Sequence, residues 1–282
     1  MLRQRIVTAL VLVALLLAAL SAASPWPFAL LMLALIAAGG WEWGRLNQAP
    51  AALALAMGAA VAAVGLALLV VLGGVLKVSP AVWWGALVLW VVAGSLALKS
   101  GPAAWPQMPR AARWGLGLAA LVATWLAVTQ ARAIGINFLL SVLCLVWMAD
   151  VAAYFGGRAF GRRKLAPSIS PGKSWEGVWS GMAGVALLAM FWIWLDGRSS
   201  FDSASLYTRL YGALGPVGLA LALPALCGLS VMGDLIESLV KRAAGAKDSS
   251  SLLPGHGGVL DRVDALLPVL PVALALASLG GH

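Results

Sequence analysis

Between residues 6 and 279 the chain is a succession of apolar runs separated by short stretches of Pro, Gly and charge. Crossing a bilayer takes roughly 20 helical residues. In hydrocarbon every backbone N–H and C=O must find its partner inside the segment, so runs of this kind fold as helices. Composition agrees. Of 282 residues, 62% are hydrophobic and 10% charged, where a soluble domain carries about 25% charged residues. A water-soluble fold of this size could not hide so much apolar surface, and the expected class is an all-α polytopic integral membrane protein.

Pro, Gly and charge punctuation divides the chain into about nine transmembrane helices. Their cores run over Ile6–Ala23, Phe28–Gly40, Ala51–Leu76, Ala81–Leu98, Trp114–Val128, Ile136–Ala149, Val178–Leu195, Gly215–Met232 and Ala265–Leu279. The second and ninth are short. The first, flanked by Arg3 and Arg5 and followed by Ala22-Ala23-Ser24-Pro25, has features of a secretory signal. Its length and the span that follows at once favour an uncleaved helix.

Positively charged loops stay in the cytoplasm. With the amino terminus inside, one side holds Arg3, Arg5, Arg45, Lys99, Arg110, Arg113, Arg158, Arg162, Arg163, Lys164, Lys173, Lys241, Arg242, Lys247 and Arg262. The other holds Lys77, Arg132, Arg198 and Arg209. That imbalance predicts an N-in, C-out topology. The net charge of +9 is accounted for by these loops and needs no nucleic-acid partner, because the basic residues form no patch interleaved with aromatics. Cys144 and Cys227 fall inside spans and suit neither a disulfide framework nor a zinc site.

The acids are sorted as unevenly. Glu42, Asp150, Glu176, Asp234, Glu237, Asp248, Asp261 and Asp264 fall on the side of most of the basic residues. Positive-inside sorting needs no acids, so they ask for another cause. All but Glu42 lie in the second half, which divides the chain into a transmembrane scaffold over 1–132, of about five helices, and a catalytic region over 133–282.

Charge is densest between Asp234 and Asp264. If the eighth helix continues past Met232, its period sets Asp234, Ser238 and Lys241 on one face, with Arg242 at the edge. Residues 245–258, rich in Gly, Ser and Pro, predict a loop carrying Lys247, Asp248 and His256. Asp261 and Asp264 then open the last helix three residues apart, on one face. Single acids here could cap a helix or pair with an arginine. As a set, ionisable groups at membrane depth are functional candidates. Carboxylates at Asp234, Asp261 and Asp264 suit a hard cation such as Mg2+; lysines, arginines and glycine-exposed N–H groups suit phosphate.

A second cluster runs from Asp150 to Glu176. Gly172-Lys173-Ser174 has the end of a Walker motif, but position 167 is Pro where its first glycine belongs and no strand is expected before it. Arg162, Arg163 and Lys164 fit plain topogenic charge, and Lys173 with Glu176 is the better phosphate candidate.

From Ser238 to Asp264 the sequence resembles the phosphatidate cytidylyltransferase family, also called CDP-diacylglycerol synthases. The pattern S-x-x-K-R-x4-K-D-x-small-x2-apolar-P-x-H-G-G-apolar-x-D-R-apolar-D is filled by Ser238, Lys241, Arg242, Lys247, Asp248, Pro254, His256, Gly257, Gly258, Asp261, Arg262 and Asp264. The stretch from Asp150 to Gly161, and Ser170-Pro171 with Lys173-Ser174 and Glu176-Gly177, are similar to the family's other cytoplasmic motifs. Many relatives carry a second lysine at Gly172 and a threonine at Ser174. Motif-level likeness covers residues 150–264; the first half matches only in being hydrophobic.

The resemblance implies a fold of about nine spans, a homodimer, and a reaction of CTP with phosphatidic acid that yields CDP-diacylglycerol and pyrophosphate. Carried over residue by residue, it implies that Asp234, Asp261 and Asp264 hold the metal, Mg2+ with a second cation as an open alternative. Lys241 joins them in catalysis, and His256 is a proton donor, a phosphate ligand or only a shaper of its loop. Lys173, Ser238, Arg242, Lys247, Asp248, Gly257, Gly258 and Arg262 would bind substrate. The site would face the cytoplasm from a bacterial-type inner membrane, with lipid entering from the bilayer and no nucleic acid involved. A transporter would show mid-span charges and repeat symmetry, yet the spans before Asp150 are almost free of charge. CDP-alcohol phosphotransferases are set aside because their D-G-x2-A-R-x8-G-x3-D-x3-D pattern is absent. A CTP-dependent polyprenol kinase stays as an alternative.

Overall fold

The structure is a computed structural model that describes residues 2–71 and 78–280, with side chains from Ile6 onward. Lys77 and the expected end of the third span at Leu76 lie outside the described residues. Among the described residues nine helices follow one another: α1 Leu2–Ser21, α2 Trp26–Leu46, α3 Ala51–Val71, α4 Pro80–Ser100, α5 Arg110–Ile134, α6 Ile136–Phe160, α7 Trp175–Asp196, α8 Leu206–Ala243 and α9 Leu260–Gly280. Eight of them are long and apolar enough to cross a membrane, and the apolar part of α1, Ile6–Ser21, is a shorter ninth. Their outward faces carry Leu10, Val71, Val217 and Leu221, each more than half exposed. In water such a surface would aggregate; against lipid tails it is matched to its surroundings.

The chain runs back and forth between two ends. At one, the start of α1 meets the last long loop, where Thr8 Oγ1 donates to Pro254 O. At the other, Arg132 Nη2 donates to Leu20 O and the Val78 N–H to Gln130 Oε1. Three buried indoles fasten the bundle by giving their single donor to a backbone carbonyl or an amide: Trp125 to Ala29 O, Trp43 to Arg113 O, Trp105 to Asn47 Oδ1. A donor left unpaired in this setting costs several kcal/mol, by the order of magnitude for hydrocarbon burial.

Three local features position the site. α4 carries one turn of π-helix over Trp90–Gly94, and Gly94 faces Met232 and Ile236 of α8, so close that a Cβ there would meet Met232 Sδ at 2.6 Å. α8 is 38 residues long, or about 57 Å at 1.5 Å per residue, nearly twice a hydrocarbon core. It is broken at Gly215, with φ 68° and ψ −175°, just before Pro216; the expected span began at this Gly215, and the structure adds a short helical stretch from Leu206 before it. α9 is interrupted by a turn at residues 264–265, after its first stretch Leu260–Val263.

The fold departs from an all-α expectation in one place. Lys164–Ala166 and Ser170–Ser174 pair as a two-stranded antiparallel hairpin, with Lys164 opposite Ser174 and Ala166 opposite Ser170. Pro167 and Pro171 remove backbone donors and exclude helix, so the segment between α6 and α7 closes as a ribbon. Ser174 then caps α7, its Oγ accepting from the Gly177 N–H at 3.2 Å.

Candidate active site

At the end where α2, α6, α8 and α9 meet the hairpin and the 244–259 loop, polar side chains form one connected network. It starts at Lys173, which the hairpin delivers to Asp234 on α8, Nζ to Oδ2 at 2.6 Å. Asp234 Oδ1 accepts from Ser238 Oγ one turn on, at 3.2 Å, as helical spacing predicts. Asp150 on α6 and Asp264 on α9 lie within electrostatic reach of Lys173, of Asp234 and of each other. Asp264 Oδ1 accepts the Ala265 N–H, which fixes the carboxylate at the turn that breaks α9.

The network continues along α8. Glu237, 3% exposed, lies within reach of Asp264 and Asp261 and pairs with Lys241 at i+4, Nζ to Oε2 at 2.5 Å. Beyond that pair neither Glu237 oxygen has a hydrogen-bond partner among the described residues. Lys241 turns away from Asp234 and bridges to Asp261 Oδ1 at 2.6 Å. Asp261 Oδ2 accepts the N–H groups of Ser249 and Gly258 and lies 2.9 Å from Ser249 Oγ, whose one proton it shares with Glu42. Gly257, at φ 82°, and Gly258 permit this wrapping: a Cβ on Gly257 would sit 2.8 Å from Asp261 Oδ2, and one on Gly258 would sit 2.0 Å from Ser249 Oγ.

Glu42 of α2, fully buried, closes the network. Its Oε1 accepts from Ser250 Oγ and the Val259 N–H, its Oε2 from Ser249 Oγ and the Leu260 N–H.

Two cavities flank α8 here. The more polar one, of about 440 Å3, has Asp150, Tyr154, Arg158, Lys173 and Asp234 in its wall. An apolar one of about 280 Å3 lies between the π-turn of α4, α5 and α8, with Trp90, Gly94, Leu121, Ile236 and Glu237 in its wall.

The expected site residues are thus separated by role. Asp234, Asp264 and Lys173 come together, and Asp150, absent from the expected set, joins them. Asp261 and Lys241 pair with each other, and among the described residues no three His, Cys, Asp or Glu side chains converge closely enough to hold a metal ion. Arg242 donates to Ile169 O and Ala246 O, and Arg262 to His256 O, so both guanidinium groups brace the loop in this conformation. His256 Nδ1 is buried without a partner among the described residues. Lys247 and Asp248 are exposed. Glu176, paired in the sequence reading with Lys173 as a phosphate contact, instead accepts from the Arg162 and Arg163 N–H groups.

Carboxylates are the donors a hard divalent cation takes, although among the described residues they are tied to lysines and backbone N–H groups and do not gather as a ligand set in this conformation. The carboxyl groups of Asp150, Asp234, Glu237, Asp261 and Asp264 lie near two lysines, Lys173 and Lys241, while Glu42 pairs with neither. Oxygen donors in such excess match a hard cation, and the Lys173 ammonium on Asp234 marks where positive charge is wanted.

Glu42, Asp150 and Glu237 escaped the list of expected site residues. Glu42 and Asp150 are lone acids near the ends of apolar spans, and that signal alone could have flagged them; Glu237 sits three residues from Asp234 in the densest run of charge.

Comparison with known proteins converges on one group. The chain is 39% identical over 281 residues to the phosphatidate cytidylyltransferase of Pseudomonas aeruginosa, covering 98% of this chain and 97% of that protein. It is 35% identical over 293 residues to the phosphatidate cytidylyltransferase of Haemophilus influenzae, with 96% of each covered. The enzyme of the same name from Thermotoga maritima is 40% identical over 135 residues, 48% of this chain and 46% of that one. With a family model matching residues 3–279 besides, the chain belongs to the cytidylyltransferase family.

Proposed function

We propose that this protein is a phosphatidate cytidylyltransferase, making CDP-diacylglycerol and pyrophosphate from CTP and phosphatidic acid. The observation that carries the reading is the pair of unlike cavities on either side of α8, one reaching Asp234 and the other Gly233, Ile236 and Glu237. The polar cavity, with Arg158 and Lys173, suits nucleotide phosphates. The apolar one suits part of an acyl chain. A reaction between a water-soluble polyanion and a membrane lipid needs such a junction.

Phosphatidic acid brings its own nucleophile. A phosphate oxygen attacks the α-phosphorus of CTP, the new P–O bond forms as the bond to the β-phosphate oxygen breaks, and pyrophosphate leaves with the electron pair. The protein's task is to hold two polyanions in line and offset their charge. Lys173 is placed to exchange Asp234 for a phosphate oxygen, and Arg158 to hold the far phosphates. Asp234 and Asp264 would hold Mg2+, with Asp261 as third ligand where Lys241 and Ser249 release it. Such an ion would shield the phosphates and polarise the reacting phosphorus. Lys241, freed from Asp261, would meet phosphate in turn; Lys247 and Arg262 sit on the same loop. We place this end at the cytoplasmic face of the inner membrane, consistent with the basic loops gathered there.

Purified protein given CTP, Mg2+ and phosphatidic acid is expected to release pyrophosphate and form CDP-diacylglycerol. Release of CDP with a phosphorylated lipid would instead favour a lipid kinase, and no product of either kind would sink both readings.

A further inference from the structure

Glu42 is the one acid of the site end that comes from the first half of the chain, on a helix whose segment is expected to be scaffold. It is fully buried, and it makes no ion pair among the described residues. Its two oxygens spend themselves on four donors, all from residues 249–260: two serine hydroxyls and the backbone N–H groups of Val259 and Leu260. Those N–H groups open α9 and have no partner within the helix. A carboxylate there satisfies them and favours the helix start. The Ser249 hydroxyl stands between the two carboxylates, 3.1 Å from Glu42 Oε2 and 2.9 Å from Asp261 Oδ2, its single proton serving one or the other, while the Ser249 N–H donates to Asp261 Oδ2. Asp261 therefore receives its place through Glu42, although the two do not touch.

We infer that Glu42 is a positioning residue for the reaction: it fixes the 249–260 loop and the first turn of α9, and through them sets Asp261 and Lys241 toward the nucleotide. The fit is close. A Cβ on Gly258 would lie 2.4 Å from Glu42 Oε1, so the loop can seat on this carboxylate only with glycine there. Glutamine has nearly the same shape but offers one acceptor where glutamate offers two, so one pair of donors would face an amide NH2. Part of this inference rests on the proposed function, since the loop is taken to serve CTP.

The test is Glu42→Gln beside Glu42→Asp in otherwise intact protein, with two readouts. In kinetics with CTP, Mg2+ and phosphatidic acid, Glu42→Gln is expected to raise KM for CTP on the order of 10-fold or more while KM for phosphatidic acid stays within about 2-fold. Glu42→Asp, which keeps both acceptors on a shorter arm, is expected to recover part of the loss. In hydrogen exchange, the Val259 and Leu260 amides are expected to exchange on the order of 10-fold faster in Glu42→Gln, with the α6 and α8 amides unchanged. Unchanged exchange at Val259 and Leu260 would overturn the inference, as would a rise in both KM values alike. The exchange arm needs no turnover, so a wild type without cytidylyltransferase activity would sink the proposed function and leave the Glu42 clamp to be judged separately. If Glu42→Gln does not fold, Glu42→Asp carries the same readouts at smaller amplitude.

Discussion

The two ends of the bundle both gather acids, and they differ in how many they leave short of partners. At the end away from the cavities, Asp196 and Asp202 are saturated. Asp196 accepts from Asn137 Nδ2, the Ser205 N–H and Thr208 Oγ1. Asp202 accepts the N–H groups of Ile136 and Asn137, the open first turn of α6. Ser203 Oγ accepts from Phe138. Helix α6 is thus capped by a loop some 65 residues away in sequence. At the cavity end Glu42 and Asp261 are well supplied with donors, but Asp150, Asp234, Glu237 and Asp264 gather near two lysines, and among the described residues Glu237 has no hydrogen bond beyond its ion pair. A polar group that is fully satisfied rigidifies a fold; one left short of partners is held ready for something else. One end is a structural knot, the other a site waiting for charge.

That contrast is broken most directly at Asp264 and Asp234. Asn at either position keeps the shape and removes charge from the place where phosphates and a cation would meet. Turnover is expected to fall by about 10²-fold or more, in line with loss of a group that stabilises transition-state charge, while the unfolding temperature in detergent stays near wild type. Turnover near wild type in either variant would refute their place in the site. Asp261→Asn should lose comparable activity and also loosen residues 249–260, because Asp261 organises that loop as well.

The mirror experiment is Asp196→Ala. It orphans three donors, so the protein should lose about 1–3 kcal/mol, the usual cost of unsatisfied buried groups. This is read as a lower unfolding temperature, with turnover per folded molecule unchanged. A variant that kept its stability and lost turnover would erase the distinction between the two ends.

How much of this was legible in the sequence depends on how local each feature is. Span positions were, because an apolar run dictates its own helix. The line of Asp234 and Ser238 was, because it follows from one helical period. Partner choice was not. Spacing set Lys241 beside Asp234, yet it bonds to Glu237 and Asp261, while Lys173, far off in sequence, takes Asp234. Nothing local to Glu42 announces that its partners lie at 249–260, or that the open end of α6 is closed by Asp202. The hairpin over 164–174 was missed for a related reason: its prolines say where helix stops, while strand pairing is decided by the helices on either side, which bring Lys164 opposite Ser174.

The smallest effect, and the one that sharpens the contrast most finely, concerns pH. Burial works to raise the Asp202 carboxyl, but the backbone N–H groups of Asn137 and Ile136 outweigh it, with Arg132 adding to them, and hold it below the ordinary aspartate range. A carboxyl lowered in the folded state binds its proton less readily there than in the unfolded chain. Its contribution to stability is therefore complete above the unfolded value and is lost as pH falls through the lowered one. Since Asp202 is largely exposed, solvent screens much of this, and the effect is a modest slope. Wild-type unfolding temperature should decline on acidification below the ordinary aspartate range, and Asp202→Asn should show a shallower decline from a slightly lower start. Parallel curves for the two proteins would mean that the cap on α6 draws nothing from the charge of Asp202, and that this end is held by hydrogen-bond geometry alone.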